Sequence, residues 1–121
     1  MKKTDFNLCR LILKYVEDNG SSRGIKGLPS IDGYGEENVA MHIGRLYNEG
    51  MLNHEIDFAN DLSVYTDLTH KGHNFLNNGV GNETIWNEVL SLASMYNIEL
   101  DLYKAEEIRR AVMTLILFSK N

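Results

Sequence analysis

The stretch Leu46-Tyr47-Asn48-Glu49-Gly50-Met51-Leu52 decides how this chain is read. Upstream of it, Val39, Ile43, Leu46 and Tyr47 recur at i, i+4, i+7 and i+8, the period of one helix face. Glu36-Glu37 put acids where a helix N-terminus carries partial positive charge, so a helix is expected from Glu36 to about Glu49, stopped by Gly50. Downstream, Leu52–Phe58 and Leu62–Leu68 read as two short strands about the turn Ala59-Asn60-Asp61.

Helix, glycine stop, strand, turn, strand is the order of a winged-helix core. The segment 36–49 would take the place of the recognition helix and 52–68 that of the wing. Working outward, Asn7, Arg10, Lys14 and Glu17 space a polar face that leaves Leu8, Cys9, Leu11, Ile12, Tyr15 and Val16 inward, with Thr4 as N-cap and Asn19-Gly20 as stop. Residues 20–35 are glycine-rich and are expected to form an ordered loop with one short strand; neither GxxxxGK[ST] nor GxGxxG occurs in them. Thr69 is expected to cap a short helix holding Phe75 and Leu76 and ending at Asn77-Asn78-Gly79. Asn82 caps another through about Tyr96, with Ile85, Trp86, Val89, Leu90 and Ala93 inward, and a last helix runs from about Leu102 to Lys120. The expected fold is mainly α with a small β-hairpin (α+β), a winged-helix-like domain with extra C-terminal helices. Residues 1–80 form the core and residues 81–121 a helical extension packed on it as one domain.

The 121 residues are 43% hydrophobic, with one proline and one cysteine. A chain this long buries roughly 65% of the surface its unfolded form exposes, enough for one core without metals or disulfides. The longest apolar run, Ala111–Phe118 with Thr114 inside it, falls short of the ~20 residues a membrane span needs. Lys2 and Lys3 are followed by a regular polar face rather than the apolar core of a signal peptide, so a cytoplasmic location is expected. Cys9 alone can form neither an intrachain disulfide nor a thiolate zinc site, and its apolar neighbours suit a buried inert thiol.

Twelve Lys and Arg stand against seventeen Asp and Glu, a net charge of −5. Between residues 31 and 60 only Arg45 is basic, against Asp32, Glu36, Glu37, Glu49, Glu55 and Asp57. That surface repels phosphate where a DNA reader would gain affinity from it.

Several runs taken together look familiar. They are Ile31-Asp32-Gly33-Tyr34-Gly35-Glu36-Glu37, His42-Ile43, Gly50-Met51-Leu52, Leu68-Thr69-His70-Lys71-Gly72-His73-Asn74-Phe75-Leu76 and Thr84-Ile85-Trp86-Asn87. They resemble, in order over about residues 4–90, the small phage and prophage proteins grouped as domain of unknown function 2513. LTxxGHxFL followed by IWN is the most specific piece, and His70 stands where that motif carries an aromatic. The resemblance implies a winged-helix-like fold and a bacterial or phage source. It brings no assigned activity and no catalytic residues.

The candidate partner- or DNA-binding residues are Asn38, Met41, His42, Arg45 and Asn48, the face a winged helix turns to base edges. His70-x-x-His73 has a usable metal spacing, but its other ligands would have to come from Asp67 or a distant histidine, and His73 reads as a hydrogen-bonded structural histidine. No serine or cysteine sits in a nucleophile motif, and Glu36-Glu37 and Glu106-Glu107 read as solvated or first-turn charges, so no catalytic, cofactor or metal residue is assigned. The last helix is apolar nearly all round in its second half. Val112, Met113, Leu115, Ile116, Leu117 and Phe118 are therefore expected either to insert between other helices or to form a homodimer helix. The expected function is that of a non-enzymatic accessory or regulatory factor acting through a protein partner. The alternative is a DNA-binding regulator using helix 36–49 and the 52–68 wing.

Overall fold

Asp5 opens the first helix, α1 (Phe6–Asn19), its carboxylate accepting from the Leu8 N–H. Thr4, the expected cap, lies one residue too early: Asp5 takes that place, and its own N–H donates to the His42 ring. The computed structural model describes residues 2–59 and 61–119, so Asn60 of the expected turn and Lys120 of the expected last helix lie outside the described residues. After α1 come β1 (Ile25–Lys26), α2 (Glu36–Asn48), β2 (Leu52–Asp57), β3 (Ser63–Leu68), α3 (His70–Phe75), α4 (Glu83–Met95) and α5 (Leu102–Ser119). Among the described residues this is an α+β fold of five α-helices and one three-stranded antiparallel sheet.

The sheet order is β1-β3-β2: the glycine-rich loop adds its short strand to the far side of the hairpin, pairing Ile25 with Thr66. Gly24 makes this approach possible. Its φ is 99°, and a Cβ there would lie 2.2 Å from the Thr66 carbonyl oxygen. The hairpin register pairs Leu52 with Leu68, His54 with Thr66 and Ile56 with Val64.

The core gathers Leu8, Ile12, Leu13 and Val16 of α1, Val39, Ile43 and Leu46 of α2, Met51 at the corner before the sheet, Leu52 and Leu68 of the sheet, Phe75, Leu76, Leu102 and Ala105. Each fully buried Leu, Ile or Phe stabilises by about 1.5–3 kcal/mol, so packing rather than propensity holds these short elements. Trp86 ties α4 to the rest, its ring 5.2 Å from Phe6 and 6.0 Å from Phe75. A smaller cluster of Ile85, Val89 and Val112 seals α4 on α5. The expected caps Thr69 and Asn82 both form, accepting from the Gly72 and Ile85 N–H groups.

Four placements depart from simple periodicity. Tyr47 and Leu90, expected inward, are 46% and 43% exposed, on sides of α2 and α4 that do not face the core. Glu106, expected in solvent, is buried against Arg109, and His42, expected outward, is 1% exposed. In both polar cases a specific partner offsets the loss of water.

Candidate partner-binding face

On α2 the five candidate residues do not form one accessible surface. His42 lies in the core, its Nδ1 2.9 Å from the Asn38 carbonyl and its Nε2 accepting from the Asp5 N–H at 2.9 Å. Such a ring donates at one nitrogen and accepts at the other, and both are satisfied. Arg45 donates to the Lys2 carbonyl (2.6 Å) and to Thr4 Oγ1 (3.4 Å). The two side chains expected to meet a partner thus strap the chain's own residues 2–5 along α2, which corrects the expectation for both. Asn38 is half-buried, its side-chain oxygen without a hydrogen-bond partner among the described residues; Met41 is half-buried and Asn48 exposed. What α2 leaves exposed is Glu36, Glu37, Ala40, Tyr47 and Asn48, with no cation among them.

The hairpin has two unlike faces, since successive strand residues alternate sides. One face carries Glu55, Asp57 and Tyr65, and Arg23 closes it: its guanidinium donates to Asp57 (2.7 Å) and Glu55 (2.8 Å) and lies 4.5 Å from the Tyr65 ring centroid. The other face begins in the core at Leu52 and Leu68, continues through His54 and Thr66, and ends at the exposed pair Ile56 and Val64. Beyond it, at the tip, Phe58 is 80% exposed and Leu62 is exposed too. Leu62 has a φ of 57°, a left-handed backbone that costs a branched residue about 1–2 kcal/mol, and residues held in that region cluster at functional sites. The edge is open as well. The Gly27 N–H donates to the Val64 carbonyl (3.1 Å), so Val64 faces β1 and its mate Ile56 occupies a non-hydrogen-bonded position. Ile56, and by the two-residue period His54, therefore direct backbone N–H and C=O groups away from the sheet.

Tyr47 stacks on His54, ring centroids 4.6 Å apart, and Thr66 Oγ1 lies 3.0 Å from His54 Nδ1. Partial burial holds the His54 pKa below its ordinary value. The folded state then binds fewer protons than the unfolded one, and stability is lost as pH falls below the unfolded value of about 6.5. Between about pH 7 and pH 5 the thermal midpoint is expected to fall less in His54→Gln than in the unaltered protein, as read by circular dichroism. Equal slopes would show that His54 does not contribute.

At the C-terminal end of α2 an open cleft of about 650 Å³ is lined by Lys2, Lys3, Arg45, Asn48, Glu49 and residues 99–104. Its cations (Lys2, Lys3, Arg45, Lys104) face the carboxylates of Glu49, Glu99 and Asp101, so it has no single sign of charge. The cleft was not legible in sequence because its walls come from three distant segments. His73 Nδ1 lies 3.4 Å from Glu17, which also accepts from Asn77; His70 is exposed, and no group of three possible metal ligands occurs among the described residues. Burial, with a smaller contribution from Asp5, pushes the Cys9 thiol pKa up to about 12, which keeps it from acting as a nucleophile. Among the described residues no helix is long and apolar enough to cross a membrane.

A family model described as "Hypothetical protein (DUF2513)" matches residues 3–98. An uncharacterized protein of Haemophilus influenzae (strain ATCC 51907 / DSM 11121 / KW20 / Rd) is 25% identical over 118 residues, covering 95% of this chain and 98% of that protein. No solved structure matches.

Proposed function

This chain belongs to the DUF2513 family of hypothetical proteins, and we propose that it is a non-catalytic, winged-helix-like protein-binding module, its contact surface the open face of the β2–β3 hairpin beside Tyr47. The observation that carries this reading is the group of exposed apolar residues at one end of the hairpin, the cross-strand pair Ile56 and Val64 followed toward the turn by Phe58 and Leu62. Single exposed apolar residues are ordinary, but a group of them gathered in one place marks an interaction surface. The free edge at His54 and Ile56 adds backbone groups with which a partner strand pairs. Phage or prophage accessory action inside a cell is the setting the family resemblance supports.

The second reading, a DNA-binding regulator using helix 36–49 and the 52–68 wing, draws on Lys2, Lys3 and Lys104 around the cleft at the end of α2. Against it, Arg45 is spent on the chain's own backbone, Arg23 is neutralised by Glu55 and Asp57, and the open side of α2 begins with two acids.

Fluorescence anisotropy of a randomised duplex separates the two. No binding is expected with ~50 μM protein at ~50 mM salt, whereas micromolar binding that fades by ~200 mM would establish the DNA reading. For the protein reading, the double variant Ile56→Glu/Phe58→Glu is expected to keep its circular dichroism spectrum and lose at least ~10-fold in retention of cross-linked partners from host extract. Retention at the level of the unaltered protein would remove the hairpin as the contact surface.

A further inference from the structure

Helix α5 carries a second apolar surface, distinct from the hairpin. Its inner side is occupied: Leu102, Ala105, Glu106, Arg109 and Val112 are buried, and Ile108, Met113 and Ile116 pack half-buried on the α4 cluster. Val112 is thereby withdrawn from the expected dimer set. The outer side remains, with Leu115 and Leu117 each 61% exposed and Phe118 70% exposed.

Along the border of that outer side the exposed Lys104, Ala111, Leu115 and Phe118 and the half-buried Ile108 follow the order 104, 108, 111, 115, 118, at spacings of four, three, four and three, the seam of a coiled coil. A depression of about 220 Å³, bounded by Ile98, Lys104, Glu107, Ile108 and Ala111, lies toward the N-terminal end of this seam. The protruding Leu115 and Phe118 lie toward the other end. From the structure we infer that two copies of this chain associate through α5, antiparallel, with the two-fold axis passing at Ala111.

The small Ala111 side chain lets the helices approach where they cross. Antiparallel pairing about it sets Leu115 of each copy over Ile108 and the depression of the other, and Phe118 beside the Lys104 ammonium, a cation–π contact. It also sets Glu107 opposite the Thr114 hydroxyl. A parallel pair would oppose Lys104 to Lys104 and Glu107 to Glu107, so charge selects the antiparallel order. Each copy carries a net charge of −5, and the outer side of α5 lessens that repulsion locally by setting Lys104 and Arg110 against one carboxylate, Glu107. The seam is only ~21 Å long by helix rise, shorter than an interface of ~800 Å² per partner requires, so the dimer is reversible and concentration-dependent.

The test is disulfide trapping in the full chain, with copper-phenanthroline and dissolved oxygen as oxidant; the native Cys9 is fully buried and does not compete. Ala111→Cys, on the axis, is expected to give a covalent dimer at least ~10-fold faster than Leu117→Cys, which is exposed but off the seam. Lys104→Cys and Phe118→Cys are each expected to remain monomeric alone and to cross-link when mixed. Leu115→Glu, exposed in the monomer, should keep the fold and lower the dimer fraction in sedimentation velocity at ~100 μM by about an order of magnitude. A monomer up to ~200 μM with no preference for position 111 overturns the inference, and self-cross-linking of Lys104→Cys overturns the antiparallel order.

Discussion

Arg109→Met is expected to lower the free energy of unfolding by about 3–5 kcal/mol, a large share of what a domain this size possesses. Arg109 and Glu106 stand one turn apart on the inner side of α5, both side chains nearly fully buried. Their contact is bidentate: Nε donates to Oε1, and Nη2 donates to Oε2 at 3.0 Å. The arginine stem runs over Gly79, in the wide turn Leu76–Val80 between α3 and α4, where a Cβ would lie 2.7 Å from Arg109 Cδ. Removing the guanidinium strands a carboxylate in the interior, and the cost is that of an unpaired buried charge rather than of one contact. The double replacement Glu106→Leu/Arg109→Met removes both charges and should return to within about 1 kcal/mol of the unaltered protein, since well-packed apolar groups replace buried ion pairs with little loss. Urea unfolding followed by circular dichroism measures both. A single variant within about 1 kcal/mol of the original would mean that Glu106 reaches water, and the buried-pair account would fail.

The second large effect is expected at Gly72, in opposite contrast to Gly44. Thr69 caps α3 and donates its hydroxyl to the Gly50 carbonyl, while the Thr69 N–H donates to the Met51 carbonyl at 3.2 Å. These bonds press α3 onto the corner where α2 becomes β2. A Cβ on Gly72 would lie 2.0 Å from the Met51 carbonyl oxygen. That oxygen belongs to the backbone of a buried corner, so α3 must lift, releasing Phe75 and Leu76 from the core. Gly72→Ala should cost about 3 kcal/mol, or roughly 12 °C in thermal midpoint. Gly44 lies inside α2 with nothing within 4 Å of its would-be Cβ, and Gly44→Ala should stabilise by about 0.5–1 kcal/mol. Thermal melts of the two variants check both signs. A neutral Gly72→Ala would show that the corner is not tightly closed.

Gly72 also shows how far the chain could be read unaided. LTxxGHxFL is recognisable in sequence, and the structure supplies its physical content: a cap, a close approach and two core anchors. The caps Thr69 and Asn82 were legible because a side-chain oxygen two or three residues before an amide is a local relation. The cap of α1 was not, because Thr4 and Asp5 are both competent by residue type and adjacent in sequence. On α2 His42 defeats the helical wheel: a polar residue on the flank of an apolar face is assigned to solvent unless its partner is known. Glu106 fails for the same reason, and Tyr47 and Leu90 fail in reverse. In the candidate site, sequence offers Arg45 and His42 to a partner because it does not reveal that residues 2–5 lie against them. Ile56, Phe58 and Val64 were legible as apolar strand positions, while their solvent exposure was not.

By itself the amino-acid sequence determined the order of elements, the α+β class and the hairpin's place directly after α2, because periods of 3.6 and 2, glycine stops and caps act over a few residues. Tertiary structure alone decided which polar groups are buried, which apolar ones are left bare and which candidate residues are spent on the chain itself. Burial belongs to no residue on its own: it follows from which element arrives over each face, and that is settled by contacts between segments tens of residues apart.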